Sequence, residues 1–217
     1  MKLLLTSQGL YNQSIVNALI ELVEKPLEEC NLAYVPTSSH GATGDKKWFS
    51  RNLSNVAKLN FKTFQIVDIA VLEEEVYMPI FQQADILYFE GGNALFLLKW
   101  LQKTKLDEKL QELIKSKVYV GSSAGSIVTN NTIWAASDYI LHSEIKDTPK
   151  GLGLVDFYFR PHFNSKNRAT INEESLLEIS KKNPGEVIYA IDDNSALKIE
   201  NDTIEIISQG NQFQIFQ

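Results

Sequence analysis

Cysteine is almost missing from this sequence: Cys30 is the only one in 217 residues. An internal disulfide is therefore excluded, and a reducing compartment is expected. The N-terminal stretch MKLLLTSQGL is too short for a signal-peptide core and far too short to span a bilayer, so a cytoplasmic protein is expected. Clusters of lysine and arginine are also lacking, and the formal net charge is −6. That balance argues against nucleic acid and anionic membranes as partners. There is no internal repeat, low-complexity tract or Pro/Gly/Ser linker, so one domain over residues 1–217 is expected. No His/Cys/Asp cluster has metal-ligand spacing, and no metal or cofactor is expected. What remains is ordinary for a globular chain: 44% hydrophobic and 22% charged residues. A chain of this length buries roughly 70% of its unfolded surface without a staple.

Short apolar runs alternate with helical stretches. KLLLTS, NLAYVPTSS (running into a loop that opens with Pro36), FKTFQIVDI, ADILYFEGG and KVYVGSS read as five strands. Residues Ser14–Leu27, Asp45–Leu59, ALFLLKWLQ and Asp107–Lys115 carry apolar positions at helical spacing. Near-continuous apolar strands alternating with helices predict a mostly parallel sheet covered on both faces. After Asp138 the pattern loosens. FYFRPHF reads as extended and Asn172–Lys182 as a helix. VIYAIDD, SALKIE, TIEIIS and FQIFQ then follow one another, with ENDT as a tight connection, which predicts an antiparallel edge on the sheet. Sites in open sheets of this kind form at the C-terminal strand ends.

Three loops there are informative: GSSAGS at Gly121–Ser126, EGGN at Glu90–Asn93, and the loop after the first strand. Gly121-Ser122-Ser123-Ala124-Gly125 fits G-x-S-x-G between a strand and a helix. Small neighbours let the chain turn sharply, and the helix start offers N–H groups to a developing negative charge. Ser123 is the candidate nucleophile and the Ala124 N–H a candidate oxyanion donor; a structural turn or phosphate cradle explains the pattern equally well. EGGN, one strand earlier, places Gly91 and Gly92 where their N–H groups approach a ligand. Asn93 follows as a ligand contact or as the N-cap of the next helix. A serine nucleophile needs a base, and only His40, His142 and His162 are available. His162 ranks slightly ahead because Pro161 stiffens its segment. Asp138, Asp192 and Asp193 are the acids to consider as its orienting partner.

In this order EGGNALFLL, GSSAGS, ASD, RPHF and AIDDNSAL resemble the peptidase E (aspartyl dipeptidase) family of serine peptidases, to which cyanophycinase is related. The resemblance implies an α/β fold: a three-layer α/β/α sandwich, class I glutamine amidotransferase-like, with a mostly parallel sheet and antiparallel C-terminal strands. It places the nucleophile on Ser123, the histidine on His162 and the oxyanion donors on Gly92 and Ala124. Its third member falls on Asp138 or on Asp193, where the family usually has glutamate. It implies a small peptide as substrate and leaves the oligomeric state open. One departure stands out. Aspartyl-specific members carry a longer basic insert after the histidine, whereas HFNSKNRATINEE is short, with Lys166 and Arg168 its only cations.

Overall fold

A computed structural model describes residues 1–133, 149–201, 203–209 and 213–216. Asp138 and His142 lie outside the described residues. Seven strands form one sheet in the order β3-β2-β4-β5-β1-β8-β9. Its parallel part comprises β1 (Lys2–Thr6), β2 (Asn31–Val35), β3 (Thr63–Ile66), β4 (Ile86–Phe89) and β5 (Val118–Ser122). Two antiparallel strands, β8 (Ser195–Glu200) and β9 (Thr203–Ser208), extend it beyond β1. With β5 between β4 and β1, the strand ends that flank Ser123 carry the EGGN loop on one side and Ser7 on the other.

Strand alternation assigns the two faces. Leu4, Leu32, Tyr34, Ile86, Tyr88, Val118 and Val120 point to one side, where α1 (Gln13–Val23) and α3 (Lys47–Ala57) cover them. Leu3, Leu5, Ala33, Val35, Leu87, Phe89 and Tyr119 point to the other. There they meet α4 (Glu74–Gln83), α5 (Ala94–Lys103), α6 (Leu106–Leu113) and the short α7 (Ala124–Ile127). Two covered faces give the α/β/α layering that the continuous apolar strands call for. Helix α1 starts where the Asn12 side chain accepts the Ile15 N–H and stops where Glu24 turns left-handed at φ 59°. Among the described residues, no helix is long and apolar enough to cross a membrane.

The C-terminal part departs from a simple edge. Only SALKIE and TIEIIS join the main sheet, through pairs such as Leu5 with Leu197. VIYAIDD and FQIFQ supply β7 (Ile188–Ile191) and β10 (Phe213–Phe216) of a separate sheet, ordered β10-β7-β6. Its third strand, β6 (Tyr158–Arg160), runs parallel to β7. This small sheet has its own core of Tyr158, Phe163, Ile188, Ala190 and Phe216, closed by Leu176 and Ile179 of α8 (Glu173–Lys182). The helix α2 (Thr37–His40) also replaces what reads as loop after β2.

Candidate active site

The turn after β5 is built by steric demand. A Cβ on Gly121 would lie 2.6 Å from the Ser126 nitrogen, and one on Gly125 only 2.0 Å from the Phe89 carbonyl oxygen. Only glycine lets β5, α7 and the end of β4 approach this closely. Ser123 itself takes φ 44° and ψ −101°, outside the regions an L-residue occupies freely. The neighbours that over-determine it are explicit. The Ser123 N–H donates to Thr6 O at 2.9 Å, and Ser123 O accepts from the Ser126 and Ile127 N–H groups. The buried Tyr119 hydroxyl donates to Gly125 O at 2.6 Å.

The three serines therefore have different places. Ser126 is buried, its hydroxyl donating to Thr6 O and accepting the Thr6 N–H. Ser122 is buried beneath the turn. Ser123 lines two cavities, of about 280 Å³ and about 450 Å³. Trp48, Arg51, Asn52 and Gln8 help line the first, while Ala94, Ile127, Pro161 and Ile171 help line the second. Arg168 and His162 border both, and the buried Arg160 borders the second.

His162 follows β6 and reaches Ser123 directly: its Nε2 lies 3.0 Å from Ser123 Oγ. Its backbone is also left-handed, at φ 65°. The His162 N–H donates to Ser7 Oγ, and that hydroxyl donates to Ile191 O, each at 3.2 Å. On its far side, His162 Nδ1 sits 2.6 Å from Asp193 Oδ1. Asp193 comes at the end of β7, and because β6 and β7 are parallel neighbours the two side chains meet at one end of the small sheet. Its other oxygen accepts from the Ser165 hydroxyl at 2.7 Å. Burial alone would raise the Asp193 carboxyl. The hydrogen bond and charge of His162, with hydrogen bonds from Ser165 and Gln8, outweigh burial and hold it below the usual carboxylate range.

Of the acids considered from sequence, Asp192 turns inward, accepting from the Asn194 N–H and the Ser195 hydroxyl. His40 stands apart, its Nδ1 2.8 Å from Asp68 Oδ2. The oxyanion candidates sort by backbone partners. The Gly91 N–H is taken by the Glu90 carboxylate, and the Asn93 N–H by Ser38 O. The Gly92 and Ala124 N–H groups have no hydrogen-bond partner among the described residues. The Asn93 side chain caps α5 by accepting the Phe96 N–H and also donates to Gly41 O. Ser7, Gln8, Ser38 and Ser165 were not singled out by the sequence. The only signal for the first two is their place at the end of β1, in one of the three loops that a parallel sheet marks out.

The sequence matches Peptidase family S51 over residues 3–207. It is 28% identical to Peptidase E of Haemophilus influenzae over 183 residues, covering 82% of this chain and 75% of that one. It is 27% identical over 169 residues to an uncharacterized peptidase of Listeria innocua, covering 73% of this chain and 76% of the other. A crystal structure from Listeria monocytogenes, described as a candidate peptidase E, superposes with a TM-score of 0.77 at 24% identity, over 96% of this chain and 98% of that one. A peptidase from an acI-B1 Actinobacterium superposes with a TM-score of 0.71 at 20% identity, over 100% and 90%. At those identities the structural likeness bears on the fold alone.

Proposed function

Because the chain belongs to Peptidase family S51, and so is a serine-type peptidase, we propose that it is an exopeptidase of the dipeptidase class acting through an acyl-enzyme on Ser123. The single observation that carries this reading is the line Asp193–His162–Ser123, with contacts of 2.6 Å and 3.0 Å. A carboxylate on Nδ1 keeps the proton there and leaves Nε2 as the acceptor that faces the hydroxyl.

In this reading His162 takes the Ser123 proton as Oγ bonds to the peptide carbonyl carbon. The carbonyl oxygen becomes an oxyanion beside the Gly92 and Ala124 N–H groups. Donors fixed before the reaction need no reorganisation when that charge appears. His162 then gives its proton to the amine nitrogen as the C–N bond breaks. A water attacks the ester carbon, His162 takes its proton, and the carboxylic acid leaves as Ser123 Oγ is reprotonated. The two cavities that meet at Ser123 offer one side to the acyl residue and the other to the leaving amine. Their combined size suits a short peptide.

The test is a panel of dipeptides, with esters and simple amides beside them, assayed on the wild-type protein and on Ser123→Ala. Dipeptide turnover is expected in the wild type, with a loss of about 10⁴-fold or more in the variant. A folded Ser123→Ala protein with full activity would end the proposal. Turnover of esters alone would reassign the site to an esterase.

A further inference from the structure

Two consecutive glycines are the most permissive backbone a chain can offer, and an oxyanion donor must be held still. Something other than the Gly91-Gly92 dihedrals must therefore fix that loop. Glu90 stands immediately before it and is fully buried. Its Oε1 accepts the Gly91 N–H at 2.5 Å and an Asn52 Nδ2–H at 3.3 Å. Its Oε2 accepts from the Tyr34 hydroxyl. Among the described residues no lysine, arginine or histidine forms an ion pair with it. A buried carboxyl without a counter-charge is costly. Its position suggests what offsets that cost, since it binds the one loop N–H that would otherwise rival Gly92.

Ser38 holds the other side of the same loop. Its hydroxyl lies 2.5 Å from Glu90 O and 2.8 Å from Gly91 O, and its own carbonyl accepts the Asn93 N–H. The Gly91 carbonyl and the Gly92 N–H belong to one planar trans peptide and point in opposite directions. Anchoring the carbonyl on Ser38 thus turns the Gly92 N–H away from Ser38. The contact is close: a Cβ on Gly92, at φ 142°, would lie 2.3 Å from Ser38 O.

We infer that Glu90, with Ser38 behind it, is a positioning residue that aims the Gly92 N–H at the developing oxyanion. The inference rests on the hydrolytic reading above and adds to it a buried acid that touches neither substrate nor nucleophile. Glu90→Gln keeps an oxygen for the Gly91 N–H, whereas Glu90→Leu removes it. Steady-state turnover per fluorophosphonate-titrated site is measured for both, together with inhibition by a peptide aldehyde, whose adduct forms the oxyanion. Glu90→Gln should stay within about threefold of wild-type kcat, and Glu90→Leu should lose about 10- to 100-fold in kcat with KM within twofold. Aldehyde affinity should fall in parallel with kcat. If Glu90→Leu does not fold, Ser38→Ala should give the same split between kcat and KM.

Wild-type kcat and aldehyde affinity in folded Glu90→Leu or Ser38→Ala would overturn the inference. So would an equal loss in Glu90→Gln and Glu90→Leu, which would mean the charge acts rather than the acceptor. A Ser123→Ala control run alongside separates the two levels. If it retains turnover, the hydrolytic reading falls and takes this one with it. If it is inactive and the Glu90 and Ser38 variants are not impaired, only the positioning role falls.

Discussion

Replacing Gly125 by alanine adds one methyl group to the second residue after Ser123. On the present backbone the new Cβ would sit 2.0 Å from Phe89 O, 2.7 Å from Phe89 C and 2.9 Å from Phe89 Cβ. None of the three can rotate away, because two are backbone atoms and the third is fixed to it. A non-bonded carbon and oxygen need at least about 3 Å, so α7 and the end of β4 must separate by about 1 Å in a core packed to crystal-like density. Phe89 is the last residue of β4, directly ahead of Glu90, Gly91 and Gly92, so the separation lies between the proposed nucleophile Ser123 and the Gly92 N–H. A misplacement of that size costs about a hundredfold in rate, or roughly 2.7 kcal/mol of barrier. Overpacking should lower stability by about 1–3 kcal/mol, with Tm falling by about 2–4 °C for each. Dipeptide kcat/KM and thermal unfolding followed by circular dichroism read the two effects on the same sample. A Gly125→Ala protein that melts at the wild-type temperature and turns over at the wild-type rate would refute the steric argument for the turn.

Asp193→Asn should lower kcat by about 10³- to 10⁴-fold with KM little changed, because the acceptor that fixes the imidazole tautomer is lost. A loss of less than tenfold would shift the orienting role to another acid, with Asp138 the first to substitute. The same variant should lose less stability in acid. The Asp193 carboxyl is held below its usual range, so its contribution is present above the unfolded pKa of about 3.9 and disappears as pH falls through the folded value. Glu90 has the opposite sign: burial raises its carboxyl, against hydrogen bonds from Tyr34, Gly91 and Asn52. Stability associated with Glu90 is therefore present below the unfolded pKa of about 4.3 and declines as pH rises. Denaturant midpoints of Glu90→Gln relative to wild type should climb as pH rises above the unfolded value of about 4.3, and a constant difference would contradict this. Asn93→Ala should cost about 1 kcal/mol in urea unfolding through loss of the α5 cap; a raised KM at unchanged stability would instead make Asn93 a substrate contact.

Much of this was legible in the sequence because backbone demand leaves a mark on residue type. The apolar runs at β1, β2, β4 and β5 are buried on both faces and read as strands without any alternation. Gly121 and Gly125 mark the turn because only hydrogen fits there, and Asn93 marks a helix start by its cap. The stretch Glu74–Gln83 was not marked, since Pro79 inside it counts against a helix while Tyr77 and Phe81 supply its buried face. The strand after Lys62 is shorter than its apolar run suggests, since Val67 and Ile69 pack in the core beyond the strand end. Whether VIYAIDD joins the main sheet or leaves it depends on which strand it pairs with, and pairing at long range leaves no local pattern. The same holds for Ser7, Ser38 and Ser165, whose hydroxyls matter only for what they reach across the fold. Asp193 could be named a candidate from its place at a strand end, and its 2.6 Å contact with His162 supports it as the orienting acid.

Ser123 and His162 ride on different parts of the molecule. Ser123 and the proposed oxyanion donors hang from β4 and β5 of the large sheet, while His162 and Asp193 hang from the parallel pair β6 and β7 of the small one. A seam runs between the proposed acid–base pair and the proposed nucleophile, and the 3.0 Å contact of His162 with Ser123 crosses it, as does the path through Ser7 to Ile191. Drift across the seam would lengthen the proton transfer while leaving the imidazole–carboxylate pair and the oxyanion cradle each intact. Substitutions in the small core of Tyr158, Phe163, Ile188 and Phe216 can thus retune the base at a distance, without touching any group that meets the substrate.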